Sequence, residues 1–410
     1  MNDNSIQFIK KLLAVLFVVW AVILFWSLAG MQIVLGSIVF TALVHSLLAQ
    51  EKVIKYHPFY LWCGLYLLIN LLVLIQSPEK IRSLLDFVNN DWVILSIPFI
   101  VTLNLSASWR KKVFQALLIS ASLAAIYGIF QFFVGLDILR SKTLGLFGSH
   151  YRAVGAYGSF LSYAGNQLMA FACAYAAFLL STKSKTEKYL YLVAAGILFL
   201  SILASQSRST WLALPVIILL GLIAVPKKHH LSIALILLLL GSGVSLAVPE
   251  ISSRFLSIFD PAQNETRLNL WRTSLAIIAD HPLLGVGSGN FNDYVEIYRV
   301  PGYYDARGHA HNDYLNKAVQ SGLIGLLAWI GMWVSWFIYM GRTYLKLVLE
   351  DEDKKIVLAA ILAISGILVA AVFQCYYTDL ENNIVWWFMG SIALQISIFR
   401  LSFRAAAEEK

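Results

Sequence analysis

His281-Pro282-Leu283-Leu284-Gly285-Val286-Gly287-Ser288-Gly289-Asn290-Phe291, then Gly308-His309-Ala310-His311-Asn312-Asp313-Tyr314-Leu315, then Gly322 and Gly325, form a glycine-broken, histidine-bearing stretch in a largely apolar chain. The first part reads as a loop after a helix end. The second starts polar and runs without a break into an apolar segment. Ionisable groups at the mouth of a membrane helix are costly and rarely kept without a task. This stretch is therefore the first place to look for chemistry.

The flanking sequence sets the class. The chain is 59% hydrophobic with mean hydropathy +0.72 and only 13% charged, whereas soluble domains carry about 25% charged residues. Apolar runs recur at the length of about 20 residues that crosses a bilayer core as a helix. They fall at 12–29, 31–48, 58–75, 92–105, 113–135, 160–181, 189–204, 210–225, 231–248, 318–340, 356–374 and 384–400. The pattern predicts an all-α polytopic membrane protein with about twelve transmembrane helices. Its expected organisation is nine spans in 1–248, a small helical cap in 249–317, and three spans with a tail in 318–410. No internal repeat is visible, so an inverted-repeat transporter finds no support.

Charge orients the helices. With the N-terminus cytoplasmic, the inside segments hold 19 of the 31 basic residues against nine acids, and the outside segments hold 12 against 14. Every inside loop is basic, as the positive-inside rule requires. Both termini are expected in the cytoplasm and 249–317 on the other side. The net charge of +8 thus reflects topology rather than a nucleic-acid partner. Cys63, Cys173 and Cys375 are far apart and imply neither a metal site nor a disulfide. Lys10 and Lys11 precede the first apolar run without a small-residue cleavage site, which reads as an uncleaved span.

Two outside segments are not spans. Residues 78–92 place Ile81, Leu84, Leu85, Val88 and Trp92 at helical spacing opposite Glu79, Lys80, Asp86 and Asn89, which predicts an interfacial helix. Residues 264–280 read as a helix capped by Asn264 and stopped before Pro282.

The outside arginines run against the positive-inside bias. Arg208 sits in the polar turn Ser205-Gln206-Ser207-Arg208-Ser209-Thr210 between two apolar spans. It is either a functional cation or one that snorkels to lipid phosphate. Arg267 falls in the first turn of the cap helix, where a helix N-terminus and a guanidinium together suit an anion. The alternative is a solvated face shared with Glu265. Arg152 is a third candidate, in Arg152-Ala153-Val154-Gly155. His311 is able to accept a proton near neutrality, or simply caps its span. His309, two residues away, would not share a helix face with it, and the pair does not read as a zinc site. Gly285-x-Gly287-x-Gly289 lacks the strand before it and the helix after it that make a nucleotide loop, and is expected to be a flexible turn. Asp379 and Glu381 could hold a metal or lie in a solvated loop.

Taken together these pieces resemble the O-antigen ligase family, within the wider group that includes O-antigen polymerases and O-linking oligosaccharyltransferases. The resemblance rests on His311-Asn312, nine residues, Gly322, two residues, and Gly325. It rests too on the Ser207-Arg208-Ser209-Thr210-Trp211-Leu212 turn, and on Arg267 and Trp271 followed by Pro282-Leu283-Leu284-Gly285-Val286-Gly287. Arg152-Ala153-Val154-Gly155 with Ser162-Tyr163-Ala164-Gly165 resembles a further family element. The resemblance implies a GT-C-like fold in the bacterial inner membrane and a glycosyltransferase without metal or cofactor. The glycan would pass on the periplasmic side from undecaprenyl diphosphate to a lipid A–core hydroxyl. His311 would act as base, with Arg208 and Arg267 stabilising the diphosphate. Arg152, Asn312, Arg272 and His309 would contact substrate, and Tyr294, Tyr298, Tyr303 and Tyr304 would offer stacking faces for sugars. Polymerase or O-linking oligosaccharyltransferase activity is the alternative within that group. A transporter of the same lipid-linked glycan is the alternative outside it.

Overall fold

The computed structural model describes residues 3–49, 56–182, 184–226, 247–304 and 308–408, with 235, 239, 241 and 243 besides. Its helices are α1 Asp3–Ile23, α2 Leu28–Ala49, α3 Phe59–Gln76, α4 Lys80–Thr102, α5 Ala107–Val134, α6 Phe160–Leu180, α7 Lys185–Ser205 and α8 Arg208–Ala224. They continue as α9 Pro249–Leu256, α10 Glu265–Asp280, α11 Phe291–Tyr298, α12 Asp313–Lys346, α13 Glu352–Ala370 and α14 Leu380–Glu408. The protein is a helical polytopic membrane protein. Among the described residues, eight helices are long and apolar enough to cross a membrane. Eleven of the twelve expected spans coincide with helices. Twelve of the eighteen residues of the ninth, 231–248, lie outside the described residues, as does Arg307. The α5–α6 connection departs from an all-helical reading. It carries two small antiparallel hairpins, Leu136–Asp137 with Lys142–Thr143 and Leu146–Phe147 with His150–Tyr151.

The bundle is built around α6, in which every residue from Ser162 to Leu180 is buried. Ala164, Gly165, Ala170, Ala172, Ala174, Ala176 and Ala177 leave room for close approach, as small residues do between membrane helices. A Cβ on Gly165 would lie 2.1 Å from Asn382 Oδ1. Helices α5, α7, α8, α13 and α14 surround it. A second seam joins α12 to α14, where Trp333 packs 4.9 Å from Trp387 and 5.1 Å from Trp386.

The predicted interfacial helix and the short span after it form one helix, α4. The predicted polar face stays at the surface, with Glu79, Lys80 and Asn89 exposed and Asp86 half-buried. Ile81, Leu85 and Val88 are exposed, while Ser83 and Asp91 are buried. Ser83 hydrogen-bonds Ser288 O, and Asp91 accepts from Tyr66 Oη. The side of α4 packed on the protein is a third one, carrying Ser83, Phe87 and Asp91.

The α12 helix breaks at Ser321 and Gly322 (φ +67°, ψ −177°). The loop at 282–287 docks into this break. Val286 N–H donates to Val319 O at 2.9 Å, Gly287 N–H to Gln320 O at 2.9 Å, and Leu323 N–H to Pro282 O at 2.8 Å. The glycine loop is therefore pinned to the kink rather than a flexible turn. A side chain at Gly322 would place Cβ 2.0 Å from Leu283 O, so only glycine permits the contact. Leu270, Ile277, Val286, Phe291, Val295, Ala310 and Val319 form a small separate core that ties α10 and α11 to the first half of α12.

Candidate functional site

The His311 segment is locked from both sides. Asn312 Oδ1 accepts from Leu315 N–H at 3.1 Å and caps α12. Asp313 Oδ2 accepts the backbone N–H groups of Tyr376 and Tyr377, each at 2.8 Å, and Asp313 N–H donates to Ala371 O. These bonds pin the α13–α14 loop beside His311. Held between them, His311 adopts φ +49°, in the left-handed region. Non-glycine residues seldom sit there, and such strain gathers at functional sites. Gln374 in the pinned loop comes within 2.5 Å of His311 Nδ1 through Oε1. With the amide oxygen as acceptor, the tautomer that satisfies this contact has the proton on Nδ1 and leaves Nε2 as the basic nitrogen. His309 packs edge-on against His311, ring centroids 4.4 Å apart, and its Nδ1 accepts the His311 N–H. The two histidines thus meet in a loop, not on a helix. Burial, and then the neighbouring His311, lower the His309 pKa to about 4.

The Ser-Arg turn is fixed to the same loop, since Ser209 Oγ lies 2.7 Å and Ser207 Oγ 3.3 Å from Tyr376 Oη. Gln206 takes a left-handed conformation (φ +54°) and α8 starts two residues later at Arg208. Arg208 Nη1 donates to Ser257 O at 2.7 Å and Nη2 to Gln263 O at 3.2 Å. Gln206 O accepts from Arg152 Nη2 at 3.2 Å and from Arg254 Nε at 3.4 Å. Arg152 also lies 3.6 Å from the centroid of Phe160 and 4.8 Å from that of Phe147.

These residues surround one cavity of ≈ 340 Å³, lined by Arg152, Arg208, Arg254, Arg267, His311 and Gln374, with Glu265 and Tyr303 at its edge. Three helices, α6, α8 and α10, begin at its wall, so the positive ends of three helix dipoles converge with four guanidiniums. Among the described residues, no carboxylate lies within ion-pair distance of Arg152, Arg208 or Arg254. Burial and the neighbouring arginines lower Arg152 and Arg254 to about 10, which leaves both cationic at neutral pH. Four guanidiniums and an imidazole thus line one cavity, an arrangement chemically suited to an anion beside a group able to take a proton.

A second, mostly apolar cavity of ≈ 250 Å³ shares Arg208 and Arg267 with the first and is lined by Leu212, Ile258, Phe259, Leu268, Trp271 and Phe373. The arginine pair stands on the seam between a polar and an apolar compartment.

With this geometry in view, comparison with known proteins finds that residues 193–330 match the family described as O-antigen ligase. About a third of the chain is thus similar to the O-antigen ligase family. None of the curated proteins compared with it matches. Members of this family are glycosyltransferase-like membrane enzymes that act on lipid-linked glycan and lipid A–core. The matched region runs from α7 past the α12 kink and contains Arg208, Arg254, Arg267, His311, Gly322 and Gly325.

Not every expected site residue reaches the cavity. Asn312 is committed to capping α12. Arg272, one helical turn beyond Leu268 on α10, is exposed and does not line it. His309 sits behind His311 and outside the lining. Tyr303 reaches the edge, whereas Tyr294 and Tyr298 stack near His281 and Tyr304 Oη meets Thr273. Asn264 starts α10 without a side-chain cap bond, and its Nδ2 donates instead to the carbonyls of Ser257, Ile258 and Asp260. Asp379 Oδ2 accepts from Ser162 Oγ and Asn382 Nδ2, fastening α14 to α6. Sequence reasoning did not select Arg254 or Gln374. Arg254 was visible as another basic residue on the wrong side of the membrane, while Gln374 carried no signal beyond a polar residue ending an apolar span.

Proposed function

We propose that this chain transfers polysaccharide from undecaprenyl diphosphate to a hydroxyl of lipid A–core, on the periplasmic face of the bacterial inner membrane, with both termini cytoplasmic. The observation that carries this reading is the shared cavity of four arginines and His311, with Glu265 its lone acid. The acceptor oxygen attacks the anomeric carbon, and its proton passes to His311 Nε2. The bond from that carbon to the diphosphate breaks and its electron pair stays on the phosphate oxygen. The charge that develops there meets Arg208 and Arg267, already in place before reaction. The apolar cavity on the far side of this pair suits the first isoprene units, which would set the diphosphate across the seam. No metal is required, because guanidiniums supply the positive charge.

The test is reconstitution of purified protein with polyprenyl-diphosphate-linked glycan and lipid A–core, in excess EDTA. We expect glycosylated lipid A–core and free polyprenyl diphosphate. Abolition by EDTA with rescue by Mg²⁺ would count against arginine-based stabilisation. Glycan joined only to a second lipid-linked glycan would identify a polymerase. Passage of unchanged donor across the vesicle would identify a transporter.

A further inference from the structure

The largest cavity among those described belongs to neither compartment of that site. It measures ≈ 640 Å³ and is lined by Lys10, Lys11, His45, Ser46, Trp109 and Phe399, among others. The start of α1, the end of α2, the end of α4, the start of α5 and the far part of α14 meet there. It therefore opens at the end of the bundle opposite the arginine cavity, which is reached by the starts of α6 and α8.

Its construction is amphiphilic. Leu13, Ala14 and Ala42 are buried and form an apolar floor, together with Phe99 and Phe399. Lys10 and Lys11 are exposed at its mouth. No carboxylate is among its lining residues. The break between α4 and α5 makes one wall, held by Gln395, whose Oε1 accepts Leu105 N–H while its Nε2 donates to Ile100 O. His45 and Ser46 are 7% and 6% exposed, in an otherwise apolar helix, and both line this cavity. The cavity is within the ~300–1,000 Å³ range of small-molecule sites. Basic pockets between membrane helices are where acidic lipid headgroups bind.

We propose that this cavity binds one acidic glycerophospholipid from the adjoining leaflet. Its phosphate would sit between Lys10, Lys11 and His45, and the upper parts of its acyl chains would lie on the apolar floor. A lipid there would bridge five helices, and would join the start of α1 to the α4–α5 break without touching the catalytic residues.

The test is native mass spectrometry of the full-length protein in mild detergent, titrated with phosphatidylglycerol or phosphatidylethanolamine. We expect phosphatidylglycerol to be retained on the order of tenfold more tightly, the scale set by two lysines near a membrane surface. The Lys10→Gln/Lys11→Gln double variant should lose this preference. Arg342→Gln, which removes a charge from α12 outside the cavity, should keep it. Ala42→Phe leaves the charges in place and fills the floor, and should lower retention of both lipids. Equal retention of the two lipids by the unaltered protein overturns the proposal. So does a preference that survives in the double variant. Displacement of phosphatidylglycerol by millimolar inorganic pyrophosphate, with pyrophosphate itself bound, would identify a soluble anion site and likewise overturn it.

Discussion

Replacing Gln374 by Leu would isolate the contact that orients the proposed base. Gln374 is 4% exposed and holds His311 Nδ1 at 2.5 Å through Oε1. Before reaction that bond joins neutral groups and contributes about 0.5–1.5 kcal/mol. Once Nε2 takes the acceptor proton the ring is charged, and the same bond is worth about 1.5–3 kcal/mol. The difference, about 1–1.5 kcal/mol, belongs to the transition state alone, and at 1.36 kcal/mol per decade it is roughly tenfold in rate. Gln374→Leu should therefore lower kcat about tenfold with little change in KM for the lipid-linked donor. That is well short of the ~10²–10⁴ expected for His311→Ala. Gln374→Glu would put a carboxylate against the imidazole and favour the protonated ring. The acid limb of its pH–rate profile should move to higher pH. The assay is initial-rate transfer by purified protein, with thermal melting to confirm that each variant is folded. A folded Gln374→Leu enzyme with unaltered kcat, or a Gln374→Glu profile that does not move, would refute this role for Gln374.

Arg208→Ala and Arg267→Ala should each lose on the order of 10²–10³ in rate, and lysine should restore only part, having lost the two-pronged contact; near-normal transfer by Arg208→Ala would leave that residue only a seal on the 257–263 turn. His309 has a folded pKa of about 4, below the usual 6.5, so the unfolded chain binds the extra proton between those values. Stability is complete above pH 6.5 and falls as pH drops toward 4, and a melting series should show a shallower fall for His309→Gln. Gly322→Ala should lower the melting temperature and the yield of folded protein, because alanine is strained at φ +67° and its Cβ meets Leu283 O; an unchanged melt would mean the loop does not depend on the kink. A reporter fused after Lys228 should read cytoplasmic and one near Asn264 periplasmic, and the reverse pattern would overturn the proposed orientation.

The sequence by itself determined the helical membrane class, most of the span positions and the motif residues. Lipid solubility is a property of a run of side chains, and glycine spacing can be read one residue at a time. Arg208, Arg267 and His311 were legible because each sits where charge is expensive. Only the tertiary structure decided which of them meet. Arg152 and Arg254 come together through one carbonyl, Gln206 O, about 50 residues from either. Gln374 reaches His311 only because Asp313 pins the loop that carries it. The face of α4 that packs on the protein, with Ser83, Phe87 and Asp91, could not be foreseen either. An amphipathic pattern gives the angle between its polar and apolar faces, but which face meets lipid depends on neighbours such as Tyr66 and Ser288, distant in sequence. That Asn312 caps a helix and Arg272 lies exposed could not be read from the sequence for the same reason. Residue type and spacing place a side chain on a helix, and only packing settles whether it turns toward the ligand, the backbone or the solvent.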